Sequence, residues 1–246
     1  MESQEEMFKN YYDAFQKSGG KLQVLENCIP VEQQIEYLIY SYALRRRRRK
    51  KMKESDYNQC MEKLENVELS KEEKKKILSM LAFSSEIRAY RLLEQYVQHP
   101  DKDLVHWASM ALLESRMAIE TELSGERQIY ISSGLGGKGD KMRFYVLVMS
   151  SKGKPFEAYQ LKVIEKEFGY LLPEYGCEIE RLNVNDNYVE IVLLIPMVND
   201  VKKALEKVVL ECNVYGNFLS QTVIITNVKE LNQNEINQAL KKNKKS

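Results

Sequence analysis

Apolar residues follow two different periods along this chain. Up to about residue 133 they recur three or four positions apart, which is typical of amphipathic helices. After residue 140 the pattern reads as strand, helix, strand, strand, helix, strand. A glycine-rich segment, residues 134–140, separates the two patterns. We therefore predict an α+β protein with a helical domain over residues 1–133, a linker at 134–140 and a mixed domain over 141–246.

The first two predicted helices carry clear apolar stripes. The first of these helices ends before Ser18-Gly19-Gly20. Its apolar stripe consists of Met7, Phe8, Tyr11, Tyr12 and Phe15. The second helix begins near Pro30. We expect its apolar face to pack in the core, and this face carries Val31, Ile35, Leu38, Ile39 and Tyr42. The same stripe continues into Arg46, Arg49 and Lys53, so the last turns of this helix should project into solvent.

Four further helices are predicted, over residues 57–64, 70–83, 85–98 and 101–123. Ser70 and Glu73 have the spacing of a capping box at the start of the second of these. The last two, which are joined by the turn His99-Pro100-Asp101 and carry small alanines, resemble a HEAT repeat over about residues 70–123. His106 departs from the pattern, since an arginine often stands there. The resemblance implies an interaction surface in an array that is either HEAT-like or irregular.

The mixed half resembles the ferredoxin-like split βαβ fold. Its strands are predicted at residues 143–149, 177–184, 189–195 and 221–228, and its helices at 155–172 and 199–215. The first and third strands are apolar on both faces, as central strands should be. We expect the strand order fourth, first, third, second, with deep burial of Val146, Val148, Ile191 and Leu193. A tail helix at 235–240 should help to cover the second sheet face, although a homodimer through the sheet is an alternative.

Composition narrows the function only slightly. The chain has 246 residues and a net charge of +1, without the general basic excess of a dedicated nucleic-acid-binding domain. No apolar stretch is long enough to cross a bilayer, and the acidic amino terminus does not resemble a secretory signal. The four cysteines contain no C-x-x-C pair, which favours reduced, mostly buried thiols in a cytoplasmic protein.

No catalytic, cofactor-binding or metal-binding pattern is visible in the sequence. Gly137-Lys138 is followed by glycine and leads into a strand, unlike a phosphate-binding loop, so a turn is the favoured interpretation. Anion contact through Lys138 and Lys141 is the alternative. The two histidines, His99 and His106, have no partner at a metal-ligand spacing, and we interpret both as solvated or structural.

The most unusual local feature is a run of seven consecutive cations. They could neutralise nucleic-acid phosphates or contact an acidic partner, or they could simply be a solvated helix end. The run consists of Arg45, Arg46, Arg47, Arg48, Arg49, Lys50 and Lys51. Without a second basic patch we expect only weak nucleic-acid binding, lost at physiological salt.

These patterns favour a non-enzymatic protein that acts in protein–protein interaction or scaffolding, with an unidentified protein partner and no cofactor. Two alternatives remain open at this point. One is a nucleic-acid or ribosome-associated factor that uses residues 45–51. The other is a small-molecule sensor or enzyme in the ferredoxin-like half.

Overall fold

A computed structural model describes residues 21–47, 52–126 and 128–243, apart from the side chains of 21–23, 47, 128 and 129. The chain forms two compact units. One contains residues 1–22 and 29–130, and the other contains residues 23–28 and 131–246. The helix predicted at residues 7–15 lies outside the described residues.

The first unit is a helical array, as predicted. A short strand, β1 (Lys21–Val24), pairs with β2 (Gln128–Ile131) where the chain passes between the units. Between these strands lie five helices, namely α1 (Val31–Arg47), α2 (Glu54–Glu65), α3 (Lys71–Ala82), α4 (Ile87–Gln98) and α5 (Val105–Ser124). A 3-10 turn, Lys102–Leu104, precedes α5. None of the helices described is long and apolar enough to span a bilayer.

Helix α5 is the centre of the helical unit, because α1, α3 and α4 all pack against it. Small residues on α5 allow this close approach, and Ala108 and Ala111 are fully buried. The predicted capping box is present at the start of α3, where the Ser70 hydroxyl accepts from the Glu73 amide at 3.3 Å. The HEAT resemblance of α4 and α5 stays a prediction.

The second unit has the ferredoxin-like order of elements. After a two-residue strand, β3 (Gly137–Lys138), come β4 (Lys141–Ser150), α6 (Ala158–Glu174), β5 (Glu178–Val184), β6 (Tyr188–Pro196), α7 (Val201–Asn213), β7 (Leu219–Thr226) and α8 (Gln233–Asn243). Strand β4 lies between β7 and β6, and β5 pairs with the other side of β6, all antiparallel. The predicted order fourth, first, third, second is confirmed.

Both faces of this sheet are covered within the chain. Helices α6 and α7 cover one face, where Val146, Val148, Ile191 and Leu193 are all fully buried, as predicted. On the opposite face lie Tyr145, Leu147, Met149 and Val192 of the strands, covered by Leu135 and by Ile236 of the tail helix α8. Intrachain cover of this face, including the tail helix, is therefore confirmed.

Residues 134–140, predicted to be a linker, belong to the second unit, where residues 134–137 are buried and residues 138–140 are exposed. Leu135 is 7% exposed, lies in the core and donates its amide to the Asn227 carbonyl at 3.0 Å. A Cβ on Gly134 would lie 1.7 Å from the Val228 carbonyl oxygen, so only glycine fits there. Gly134, Gly136 and Gly137 serve close approach to neighbouring atoms, and Gly139 supplies a φ of +61° in the hairpin, which corrects the linker interpretation.

A second difference concerns residues 23–28, which the sequence placed in the helical domain. Val24 and Leu25 are 2% and 5% exposed. Their amides donate to carbonyls of the second unit, Val24 to Gly139 at 2.9 Å and Leu25 to Ile131 at 2.8 Å. This six-residue stretch completes the mixed unit, whose sequence is therefore discontinuous.

Candidate protein-interaction surface

The buried face of α1 is polar, and a single carboxylate holds it. The Tyr37 hydroxyl donates to Glu114 Oε2 at 2.6 Å, and the Ser41 hydroxyl donates to the same oxygen at 2.8 Å. One turn further along, the Arg45 guanidinium also bonds to Glu114. Burial, and then the adjacent Glu114 charge, raises the pKa of Tyr37 well above its ordinary value, so the phenol stays protonated as a donor. Three donors at four-residue spacing thus attach α1 to α5.

The first turns of α1 are fixed by an aromatic and cationic cluster. The Trp107 ring contacts Tyr37 and Tyr40 edge to face, with centroids 5.1 and 5.2 Å apart. The largely buried Lys75 ammonium lies 4.4 Å from the Trp107 ring centroid and binds the Glu36 carboxylate at 2.6 Å. Cation–π attraction and the ion pair both orient α1 about its axis.

This orientation leaves the apolar face of α1 in solvent. The exposed fractions are 52% for Ile35, 55% for Leu38, 66% for Ile39 and 66% for Tyr42. The predicted packing of this face in the core is therefore wrong. The polar face is inside because Tyr37, Ser41 and Arg45 all reach Glu114 on α5, while Glu36 binds Lys75 on α3. We call these four residues the α1 apolar surface.

The cationic run begins where the α1 apolar surface ends. Arg45 bonds to Glu114, and its guanidinium carbon lies 5.7 Å from the Phe83 ring centroid, so this side chain already has partners within the helical unit. The exposed Arg46 lies 5.9 Å from the Tyr42 ring centroid. Arg47 is the last residue of α1, and its side chain is not described. Residues 48–51, and with them Arg48, Arg49, Lys50 and Lys51, lie outside the described residues.

The other candidate residues lie on other elements of the structure. Lys138 and Lys141 face each other across the β3–β4 hairpin, and the Lys141 ammonium lies 3.3 Å from Glu178. His99 is exposed at the end of α4, and His106 is half-buried in the first turn of α5. Within the described residues, no group of three or more metal-ligand side chains comes together.

Sequence reasoning missed Glu114, the acceptor for three side chains of α1. It stands 69 to 77 positions from its partners. The available signal was the spacing of Tyr37, Ser41 and Arg45, which places three donors on one helix face. When such a stripe of donors is buried, it requires an acceptor on a neighbouring element.

We expect Glu114→Ala to lower the free energy of unfolding of the helical unit by about 2 kcal/mol. The reason is that the buried Tyr37 and Ser41 hydroxyls would lose their acceptor. Guanidinium unfolding followed by the fluorescence of Trp107, the single tryptophan, measures this change. Glu122→Ala, at an exposed position on α5, is the control and should change little. Equal stability of the two variants would contradict the role of Glu114.

Comparisons with known proteins assign no family. No family model matches the chain, and no curated protein matches it. Among solved structures, one described as a "putative transposase" from Deinococcus radiodurans R1 is similar at 14% identity with a TM-score of 0.37. The likeness covers 42% of this chain and 91% of that chain. Such low similarity has no bearing on function.

Proposed function

We propose that this protein acts through protein–protein contact, with the α1 apolar surface as its docking site. The observation that carries the proposal is the inverted burial of α1. Four large apolar side chains are each more than half exposed, while a tyrosine, a serine and a glutamine on the same helix are buried. Contiguous exposed apolar patches of this kind mark interaction sites in soluble proteins.

The charges beside the patch indicate the chemistry of the partner. The α1 apolar surface leads directly into the cationic run that starts at Arg45. A partner that matches both features presents apolar side chains followed by carboxylates. Apolar contact would then supply affinity, and the charges would fix orientation. Nucleic-acid binding by residues 45–51 gains no specific support, since Arg45 is bonded to Glu114.

The test is photo-cross-linking in cells that express the full chain. A photoreactive phenylalanine analogue replaces Leu38, and in a matched control it replaces Leu123, which is 76% exposed on α5. We expect cross-links to a polypeptide of discrete mass from position 38 only. These cross-links should disappear when Ile39→Ser is added. If position 38 yields no cross-link to any polypeptide while the protein is folded, the proposed function is wrong.

A further inference from the structure

The exposed stripe of α1 has an acid at one end and a base at the other. Glu32 is exposed in the first turn, and Arg46 is exposed in the last. Between them, in order, lie Ile35, Leu38, Ile39 and Tyr42. Positions three or four apart share a helix face, so all six residues line one stripe. The four apolar positions are symmetric about a point between Leu38 and Ile39, and Glu32 and Arg46 depart from this symmetry by one residue.

We propose that the α1 apolar surface binds the same surface of a second copy of this chain, with the two α1 helices antiparallel. This inference rests on the proposed function and names its partner. A two-fold axis between Leu38 and Ile39 brings Leu38 of each copy against Ile39 of the other copy. Ile35 then meets Tyr42, and Glu32 lies opposite position 45, within one residue of Arg46, at both ends of the pair. Such a contact is isologous, as two-fold interfaces are.

Charge complementarity selects the antiparallel pair. A parallel pair would place Arg46 beside Arg46 and Glu32 beside Glu32, which repel. The other charged side chains of α1 next to this stripe have partners inside the fold, since Glu36 binds Lys75 and Arg45 binds Glu114. Glu32 and Arg46 are therefore the charges that a second copy would meet at the ends of the stripe.

The size of the surface sets the expected affinity. A 17-residue helix is about 26 Å long, and one face of it buries less than the roughly 800 Å² per partner of a standard interface. We therefore expect a reversible dimer with a dissociation constant in the range of about 1–100 μM.

Sedimentation equilibrium of the full chain tests the contact. We expect wild type to dimerise and Ile39→Arg to weaken dimerisation at least about tenfold, because a charge would enter the centre of an apolar contact. Leu123→Arg adds the same charge at an exposed site outside the stripe and should leave dimerisation unchanged. Unchanged Trp107 fluorescence shows that the variants are folded.

A charge exchange tests the antiparallel arrangement. Glu32→Arg and Arg46→Glu should each weaken the dimer about two- to twentyfold, because each change removes an exposed ion pair at both ends of the dimer. The double variant should restore the wild-type dissociation constant, since the two charges have only exchanged places. Weakening without restoration would overturn the antiparallel pairing.

The outcomes separate this inference from the proposed function. A wild-type monomer at all concentrations up to about 100 μM would overturn the dimer. If position 38 then cross-links to a different protein, the proposed function stands and only this inference fails. A cross-link from position 38 to the part of the same chain before Lys21 would also overturn the dimer. Complete absence of cross-links from position 38 would overturn both the proposed function and the proposed dimer.

Discussion

Val148→Asp should leave the mixed unit unfolded while the helical unit keeps its structure. Val148 is fully buried on the central strand β4, between β6 and β7, and packs under α6 and α7. A carboxylate there would be charged without a partner, or would have to be protonated, at a cost of several kcal/mol. That cost is comparable with the total stability of a small unit, so the folded form should not be populated.

The cysteines and the tryptophan report the two units separately. Cys177 and Cys212 are buried in the mixed unit, and burial raises the pKa of Cys177 to about 11 and that of Cys212 to about 12. In wild type, only the exposed Cys28 should react with a thiol reagent at neutral pH. In Val148→Asp, Cys177 and Cys212 should react as well, without a change in Trp107 fluorescence.

Val198→Asp is the matched control, because Val198 is 42% exposed in the same unit. It should keep the thiol reactivity of wild type. If Cys177 and Cys212 stay protected in Val148→Asp, then β4 tolerates a carboxylate at this position and is not central to the core.

Gly134→Ala should lower the free energy of unfolding of the mixed unit by at least about 3 kcal/mol. The added methyl carbon would lie 1.7 Å from the Val228 carbonyl oxygen, far inside van der Waals contact. The obstacle is backbone, so relief requires movement of the chain after β7 and of the hydrogen bond from Leu135 to Asn227. Overpacking typically costs about 1–3 kcal/mol and occasionally more, and a backbone obstacle places this cost at or above the top of that range.

The control for this variant is Gly169→Ala. Gly169 is exposed in the middle of α6, and a Cβ there meets nothing within 4 Å. This change should raise stability by up to about 1 kcal/mol, since alanine favours a helix over glycine. Denaturant unfolding followed by thiol reactivity of Cys212 measures both. Opposite signs are expected, and a neutral Gly134→Ala would show that residues 134–140 are not packed.

The architecture of the mixed unit could be predicted from the sequence because burial there follows local pattern. Strands that are apolar on both faces must be central, and the runs around Val146 and Ile191 identified β4 and β6. The alternation in β5 similarly indicated an edge strand. In this unit, the residue types along the strands distinguished central from edge strands, and the full strand order followed from the resemblance to the ferredoxin-like fold.

The orientation of α1 could not be predicted in the same way. Its apolar stripe is the stronger local signal, yet the fold buries the opposite face. The orientation of α1 is decided by its contacts with two side chains, the Glu114 carboxylate on α5 and the buried Lys75 ammonium on α3. Both residues are distant from α1 in sequence. Periodicity describes one helix at a time and contains no information about hydrogen-bond partners on other helices.

The glycine-rich segment was misinterpreted for a related reason. Glycine permits both flexible chain and close backbone approach, and the sequence does not distinguish the two. Leu135 was the one residue in the segment that could have indicated burial. Likewise, the attachment of Val24 and Leu25 to the mixed unit depends on backbone hydrogen bonds, which any residue type can form.

The discontinuous mixed unit has a consequence for the order in which the chain folds during synthesis. All residues of the helical unit have been synthesised once Tyr130 is added, when the mixed unit still lacks its sheet. Val24 and Leu25 are synthesised early, but the residues whose carbonyls accept from their amides, Gly139 and Ile131, are added more than a hundred positions later. Since domains fold as they emerge during synthesis, the helical unit should form first, and residues 23–28 should stay without their hydrogen-bond partners until the second unit folds.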